Sequence, residues 1–311
     1  MAIAQVGRKR AGLRVFESKM QRNEAMWAYI FLLPNLLLFL AFTIYPIFAS
    51  FYYSLTRWTN LAEPGTFIGF ENYVQLAQDP IFRTVLLNTF YYTFGVIPLQ
   101  TVLGLAIAVL LNQQVRFRTV YRAAYFVPVV TSMVAVSMVW QWMYQREYGV
   151  INSFLKLAFG IQGPNWLFSE IWSMPAVIIM SIWKNVGYSI VLYLAALQGV
   201  PDSLYESAMI DGANSWKRFR HITVPLISPT TFYIIVLSII GSFQSFDQIY
   251  VLTGGGPVRA TSVIVHYLYQ NGFQWFNMGY AASIAWVLFA MLFIVTILQW
   301  TQRRRWVFGE E

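Results

Sequence analysis

Along most of this chain the apolar residues run on in long blocks, and the polar residues gather between them. Six blocks stand out: Trp27–Tyr53, Val85–Leu111, Ala123–Tyr144, Ser173–Leu197, Leu226–Leu252 and Met278–Trp300. The hydrocarbon core of a bilayer is crossed by about 20 residues of helix, and a helix satisfies its own backbone there. The pattern predicts an all-α integral membrane protein with six transmembrane helices. Pro34 and Pro46 interrupt the first block and Pro98 the second. A membrane helix tolerates such prolines when neighbours satisfy the freed carbonyls. No internal repeat and no low-complexity segment appears.

The basic residues between the blocks predict orientation. Arg8, Lys9, Arg10, Arg14, Lys19 and Arg22 precede the first block; Arg116, Arg118 and Arg122 follow the second. Lys217, Arg218 and Arg220 follow the fourth, and Arg303, Arg304 and Arg305 follow the sixth. The opposite side carries Arg57, Arg83, Arg146, Lys156 and Arg259. The excess of Lys and Arg on one side marks the cytoplasmic face, so both termini are expected there. The expected organisation is a cytoplasmic tail over 1–26, a transmembrane domain over 27–300 with a cytoplasmic loop at 199–225, and a second tail over 301–311. No small-residue cleavage site follows the first block, which reads as an uncleaved span.

Composition narrows the function. Of 311 residues, 58% are hydrophobic and 11% charged, against about 25% charged in soluble domains. The net charge of +8 is mainly a topology signal. Its basic residues are split among four membrane-flanking sites, which argues for contact with the lipid bilayer and against nucleic acid. There is no cysteine, hence no disulfide and no thiolate chemistry. His221 and His266 lie too far apart in sequence to suggest a metal site by themselves. No P-loop pattern occurs, so the chain has no such cradle for nucleotide phosphates. A stand-alone ion-coupled carrier needs intramembrane carboxylates and usually shows repeats; a membrane enzyme needs a nucleophile and a base. Both alternatives find little here. The better reading is a non-catalytic transport subunit.

The segment between the fourth and fifth blocks, "VPDSLYESAMIDGANSWKRFRHITVP", is polar and patterned. Pro201 and Asp202 break the preceding helix. Ser203 with Glu206 three residues on has the form of a capping box. Gly212 and Asn214 supply a stop, and Ser215 can cap a second short helix before Pro225. Ser207, Ala208 and Ala213 are small enough for another surface to come close. By physics alone, the segment reads equally as an amphipathic helix on headgroups.

The loop resembles the signature of permeases of binding-protein-dependent ABC importers: Glu-Ala-Ala, three residues, Gly, nine residues, Ile, one residue, Leu-Pro. It stands here as Glu206-Ser207-Ala208, Gly212, Ile222 and Val224-Pro225, departing at Ser207 and Val224. "FIGFENYVQLAQDPIFRTVLLNT", "NWLFSE", "IWKNVGYSIVLYLAALQGVP", "FDQIYVLTGGGP" and "GYAASIAWVLF" extend the resemblance to carbohydrate-uptake permeases of the maltose and glycerol-phosphate first-subunit type. The resemblance implies a type I ABC importer permease fold in the cytoplasmic (inner) membrane of a prokaryote. It implies a second permease subunit, an ABC ATPase dimer and an extracytoplasmic solute-binding protein as partners. No cofactor is expected on this chain; ATP and Mg are used by the ATPases. Glu206, Ser207, Ala208, Asp211 and Gly212 are then the expected ATPase-coupling residues.

A solute path through a membrane should be polar and walled by helices. Ser181, Asn185 and Tyr188 share one helical face, as do Ser238, Gly241, Ser242 and Ser245. The resemblance places sugar contacts on these two spans; close helix packing through small residues is the other reading. Lys184 and Asp247 are charges inside blocks, each costing about 2.5–3.5 kcal/mol at a helix centre unless partnered or wetted. They are expected at the edge of the path or its outer gate, Asp247 on the side away from Ser242 and Ser245. A Lys184–Asp247 pair is conceivable, though their depths differ. Trp140, Trp142, Tyr144, Trp183, Trp275 and Phe276 offer surfaces on which a sugar could stack; the other reading is an interfacial belt, for which Trp183 is too deep. "TGGGP", Thr253 to Pro257, offers flexible backbone on the outer side. Sugar, polyol and glycerol phosphate all stay open as solute.

Overall fold

Two wide π-turns each sit just ahead of a proline that continues a helix. In the first, Leu40–Ile44, the Tyr45 amide reaches back to the Leu40 carbonyl, and Pro46 follows. In the second, Phe219–Thr223, the Val224 amide reaches the Phe219 carbonyl, and Pro225 follows. A proline cannot donate and its ring crowds the preceding turn, so the widened turn sits where the ordinary ladder would fail. The computed structural model describes residues 19–59, 65–113 and 118–306. Arg8, Lys9, Arg10, Arg14 and Arg116 lie outside them.

The chain divides into two units, one ending at Tyr52 and the other starting at Tyr53. The first unit holds α1 (Lys19–Phe39), the π-turn and most of α2 (Tyr45–Ser54). Helix is thus present from the first described residue, Lys19, ahead of Trp27, since Lys19–Met26 contains no helix breaker.

The second unit starts with a small hairpin, β1 (Thr56–Arg57) and β2 (Thr66–Phe67), paired antiparallel with Thr56 opposite Phe67. It continues through α3 (Glu71–Gln78), α4 (Pro80–Asn112), α5 (Arg118–Val130), α6 (Met133–Met143), α7 (Val150–Phe159) and α8 (Ser173–Gln198). Then come α9 (Asp202–Ile210), α10 (Ser215–Arg218), α11 (Val224–Leu226), α12 (Ser228–Phe243), α13 (Asp247–Leu252), α14 (Ile264–Tyr269) and α15 (Met278–Trp306). Among the described residues four helices are long and apolar enough to cross a membrane, or up to six if each of two bent pairs is one span.

The bent pairs revise two predicted blocks. Ala123–Val130 and Met133–Met143 meet at 109°. Around Thr131, both the backbone amide and the Oγ1 hydroxyl donate to the Pro128 carbonyl, at 3.3 and 2.6 Å. Polar side chains there cover groups that the bend frees. Ser215–Leu226 and Ser228–Phe243 meet at 63°. The predicted block Leu226–Leu252 is also cut inside: α12 stops at Phe243, and α13 starts afresh at Asp247. Gln244 and Ser245 close the last turn with amide bonds to Ile240 and Ser242.

Helix α8 lies at the centre of the second unit. Val177, Met180, Ile190 and Tyr193 on it are fully buried. Lipid tails are as apolar as these side chains, so close approach and hydrogen bonds hold such helices together. Gly104 on α4 leaves room for Ser189 on α8, and the Gln100 Nε2 donates to the Ser189 Oγ at 3.1 Å. A Cβ on Gly187 would run into the Tyr125 carbonyl oxygen of α5.

At the end of the unit where α4 begins, Asp79 joins three elements. Its Oδ1 caps α4 by accepting from the Ile81 amide at 2.8 Å. Its Oδ2 accepts from the Tyr267 hydroxyl of α14 at 2.5 Å and the Tyr280 hydroxyl of α15 at 2.7 Å. Burial pushes the carboxyl up, but the two phenols and the Ile81 and Phe82 amides outweigh it and hold it below the usual value of 3.8. Burial, then the bond to Asp79, pushes the Tyr267 phenol up to about 12.

Two outcomes are expected. Gly187→Ala should destabilise by about 1–3 kcal/mol through overpacking, read as a lower melting temperature in detergent; an unchanged melt would mean that α5 does not press on α8. A depressed carboxyl stabilises above its unfolded pKa and loses that contribution as pH falls through the folded one. The melting gap between wild type and Asp79→Asn should therefore be full at neutral pH and shrink below about pH 4. A gap independent of pH would contradict the clamp.

Candidate functional site

Two features lie next to each other along the chain: a polar cavity in the helix bundle, and a hairpin between the helices that wall it. The hairpin is α9 to α11. Helix α9 starts at Asp202 with Pro201 as its cap residue, and no side chain caps it. The Ser203–Glu206 capping box does not form, because the helix starts two residues early, with Pro201 as its cap residue, and puts both side chains within its turns. The Ser203 carbonyl instead accepts the Ser207 Oγ at 2.9 Å. The stop forms as expected: Gly212 sits at φ +76°, its amide bonds Met209 at 3.0 Å and the Ala213 amide bonds Ala208 at 2.8 Å, a Schellman ending. The second cap is Asn214, not Ser215; its Oδ1 accepts from the Lys217 amide at 2.9 Å. The hairpin is anchored inward by Tyr205 and Ile222, which pack on a core with Leu197 and Ile227. The Tyr205 hydroxyl also pairs with Thr223 Oγ1 at 2.9 Å.

Its outer face is open. Glu206, Ser207, Asp211 and Gly212 are exposed and Ala208 is half-buried. Around them Leu204, Met209, Ile210 and Trp216 are exposed too, Ile210 at 88%. Small and apolar groups beside two carboxylates suit contact with a complementary protein surface.

The cavity has a volume of about 470 Å³. Asn185 and Tyr188 of α8 line it with Ser238, Gly241 and Ser242 of α12, and Ser245. Of the seven expected path residues, Ser181 alone is off the wall; it is fully buried and its Oγ donates to the Val177 carbonyl at 2.8 Å. Among the described residues Ser238, Ser242 and Asp247 make no side-chain hydrogen bond, which leaves their oxygens for whatever fills the space. No three His, Cys, Asp or Glu side chains among the described residues converge to hold a metal ion.

The profile of the family described as "Binding-protein-dependent transport system inner membrane component" matches residues 100–306. The chain belongs to this family. Its permease relatives include the arabinooligosaccharides transport system permease protein AraP of Bacillus subtilis, 37% identical over 87% of this chain and 86% of that protein. The trehalose/maltose transport system permease protein MalF of Thermococcus litoralis is 34% identical over 90% and 95%. The lactose transport system permease protein LacF of Rhizobium radiobacter is 34% identical over 92% and 97%. A chain of the bacterial alginate ABC transporter, crystallised with an alginate pentasaccharide-bound periplasmic protein, superposes with a TM-score of 0.81 at 24% identity, covering 92% of this chain and 96% of that one. The fold is thus that of an ABC importer permease.

Within this permease several expected placements change. Asp247 shares the cavity wall with Ser242 and Ser245, because α12 ends before it and the helical-wheel offset no longer applies. Lys184 does not pair with Asp247. It is buried, and its Nζ donates to the Val129 carbonyl at 2.9 Å, in the last turn of α5, where carbonyls lack helical donors and a cation is favoured. Trp140 and Tyr144 are core residues packed with Trp166, not a belt; the Tyr144 hydroxyl donates to the Ala176 carbonyl at 2.9 Å. Trp142 and Trp275 are half exposed, and Trp183 packs edge-on against Trp140. Phe276 sits at φ +55°. "TGGGP" is a built turn: Thr261 Oγ1 meets Thr253 Oγ1 at 2.6 Å and the Gly256 carbonyl at 2.9 Å.

The cavity also holds groups that sequence reasoning passed over: Tyr92 and Gln100 on α4, Gln244, Phe246 and Gln248. Gln248 Nε2 donates to the Tyr92 hydroxyl at 2.9 Å. Tyr92, Val96 and Gln100 recur every four residues on one face, a signal present in the sequence but faint against so much apolar surface.

Lys184→Met should leave the Val129 carbonyl without its donor and cost about 1–3 kcal/mol, while Lys184→Arg should keep most of the stability. Equal melting temperatures for wild type and Lys184→Met would remove Lys184 from this role.

Proposed function

We propose that this chain is one of two permease subunits of an ATP-driven importer that carries a sugar or related polyol into the cell. The observation that carries this reading is the lining of the cavity: hydroxyls and amides from α8 and α12, the two helices that enter and leave the exposed hairpin. Such groups donate and accept in one side chain, as sugar hydroxyls do. The AraP, MalF and LacF relatives are transport permeases named for oligosaccharides and disaccharides, which supports the same solute class. The alginate system was crystallised with its periplasmic protein, which supports an external solute-binding protein as the donor.

In this reading the hairpin faces the cytoplasm, as the basic residues around it favour, and both termini lie on that side. Glu206, Ser207, Ala208, Asp211 and Gly212 present the surface that an ABC ATPase dimer grips. The ATPases hold ATP and Mg; this chain binds no cofactor and catalyses nothing. Closure of the ATPases draws on α9, and α8 and α12 carry that displacement to the cavity, which opens alternately to the two sides. The second permease subunit completes the wall of the path. Lys184 holds α5 to α8 at the edge of the path, and Asp247 stands in its lining.

Gly212→Val forces a β-branched residue into left-handed backbone, and Glu206→Ala removes a rim charge. Gly212→Val is expected to cut solute uptake at least tenfold, and Glu206→Ala by less, with membrane insertion and ATPase co-purification measured alongside. Uptake at the wild-type rate in Gly212→Val, with the protein inserted, would contradict coupling through this hairpin.

A further inference from the structure

Beyond the cavity, aromatic rings continue without a gap. Phe246 lines the cavity. Its ring lies 5.0 Å from that of Tyr269 and 5.3 Å from that of Tyr250, and Tyr250 and Tyr269 are 5.4 Å apart. Tyr269 stacks in turn on Phe273 at 5.5 Å. Phe246 and Tyr269 are half-buried, while Tyr250 is 42% and Phe273 60% exposed. The rings come from the break after α12, from α13, from α14 and from the π-turn Gln270–Gln274. All lie in the connection to α15, at the end of α12 remote from the hairpin.

An interfacial belt places rings separately against lipid. Here Phe246, Tyr250 and Tyr269 touch one another, Tyr269 carries the contact on to Phe273, and Phe246 belongs to the cavity wall. The Phe246 backbone, at φ −141° and ψ −59°, is the cap residue from which α13 starts. Beside these rings, His266 is buried and donates or accepts at Ser262 Oγ, 3.0 Å away. Burial and the nearby Arg259 guanidinium hold its pKa down at about 4, so it adds no positive charge at neutral pH.

We propose that Phe246, Tyr250, Tyr269 and Phe273 form a stacking track on which sugar rings move between the outer surface and the cavity. This rests on the sugar-importer reading above. A pyranose has apolar C–H faces and hydroxyl edges. An aromatic ring covers such a face with a large rigid surface at small entropic cost, and the two tyrosine hydroxyls supply polar edges. Rings about 5 Å apart let a sugar leave one as it meets the next, so no single position holds it strongly.

The test uses the complete transporter in liposomes with its binding protein, and radiolabelled maltose, lactose and arabinotriose as probes at limiting concentration. Uptake and binding-protein-stimulated ATP hydrolysis are measured for Tyr269→Ala, Phe273→Ala, Tyr269→Phe and Phe273→Trp. Alanine variants are expected to take up sugar about threefold to tenfold more slowly, ring-keeping variants to stay within about twofold, and stimulated ATPase to hold within about twofold in all four. Uptake by the alanine variants at the wild-type rate overturns the track and leaves the importer reading intact. ATPase stimulation falling in parallel with uptake overturns it as well, since the rings would then be a dock for the binding protein. Ring-keeping variants as slow as alanine would show a packing role only. A wild-type complex that moves none of the three sugars overturns the sugar reading, and the track with it.

Discussion

A backbone carbonyl freed inside an apolar bundle must find a donor, since lipid offers none. That constraint organises this permease. The same lack of water makes buried hydroxyls bond back along their own helices, as Thr89 does to Val85, Ser137 to Met133 and Ser245 to Gly241. The most consequential instance of the constraint is Lys184, whose ammonium group meets the Val129 carbonyl where α5 stops. One charged side chain thereby finds its partner, a helix end is satisfied, and α5 is fixed against α8 beside Gly187.

The same constraint locates the cavity. Helices end where their last carbonyls can be covered, and the two ends at Thr131–Ser132 and Gln244–Phe246 both border the polar space: Val129 and Met133 lie on its wall from one side, Gln244 to Gln248 from the other. Unwound backbone is tolerated at membrane depth only where protein or a water-filled cavity surrounds it. Breaks and cavity therefore occur together for one physical reason, and the polar residues at the breaks become the lining.

Mechanical connection follows from chain order. Helix α8 runs from the cavity wall to the hairpin, and α12 runs back from the hairpin to the wall. The hairpin is fixed at both ends by Tyr205, Thr223 and the core around Leu197, while α9 projects Ile210 and Met209 outward. A rigid base with an exposed apolar tip transmits displacement better than a floppy loop, because packed interfaces shift as units. The clamp of Asp79 with Tyr267 and Tyr280 ties α4, α14 and α15 together at their other end.

The sequence by itself determined the apolar blocks, the polar hairpin with its Gly212 stop, and the serine and asparagine faces of α8 and α12. Those signals are local: block length against bilayer thickness, one glycine at left-handed backbone, a helical repeat. Tertiary structure alone decided where the third and fifth blocks break and which group meets Lys184. It also turned Asp247 into the cavity and drew Trp140 and Tyr144 into the core. Each of these depends on which carbonyl a neighbouring helix leaves uncovered and which side chain can reach it. That is a relation between residues as far apart as Val129 and Lys184, and no local pattern encodes it.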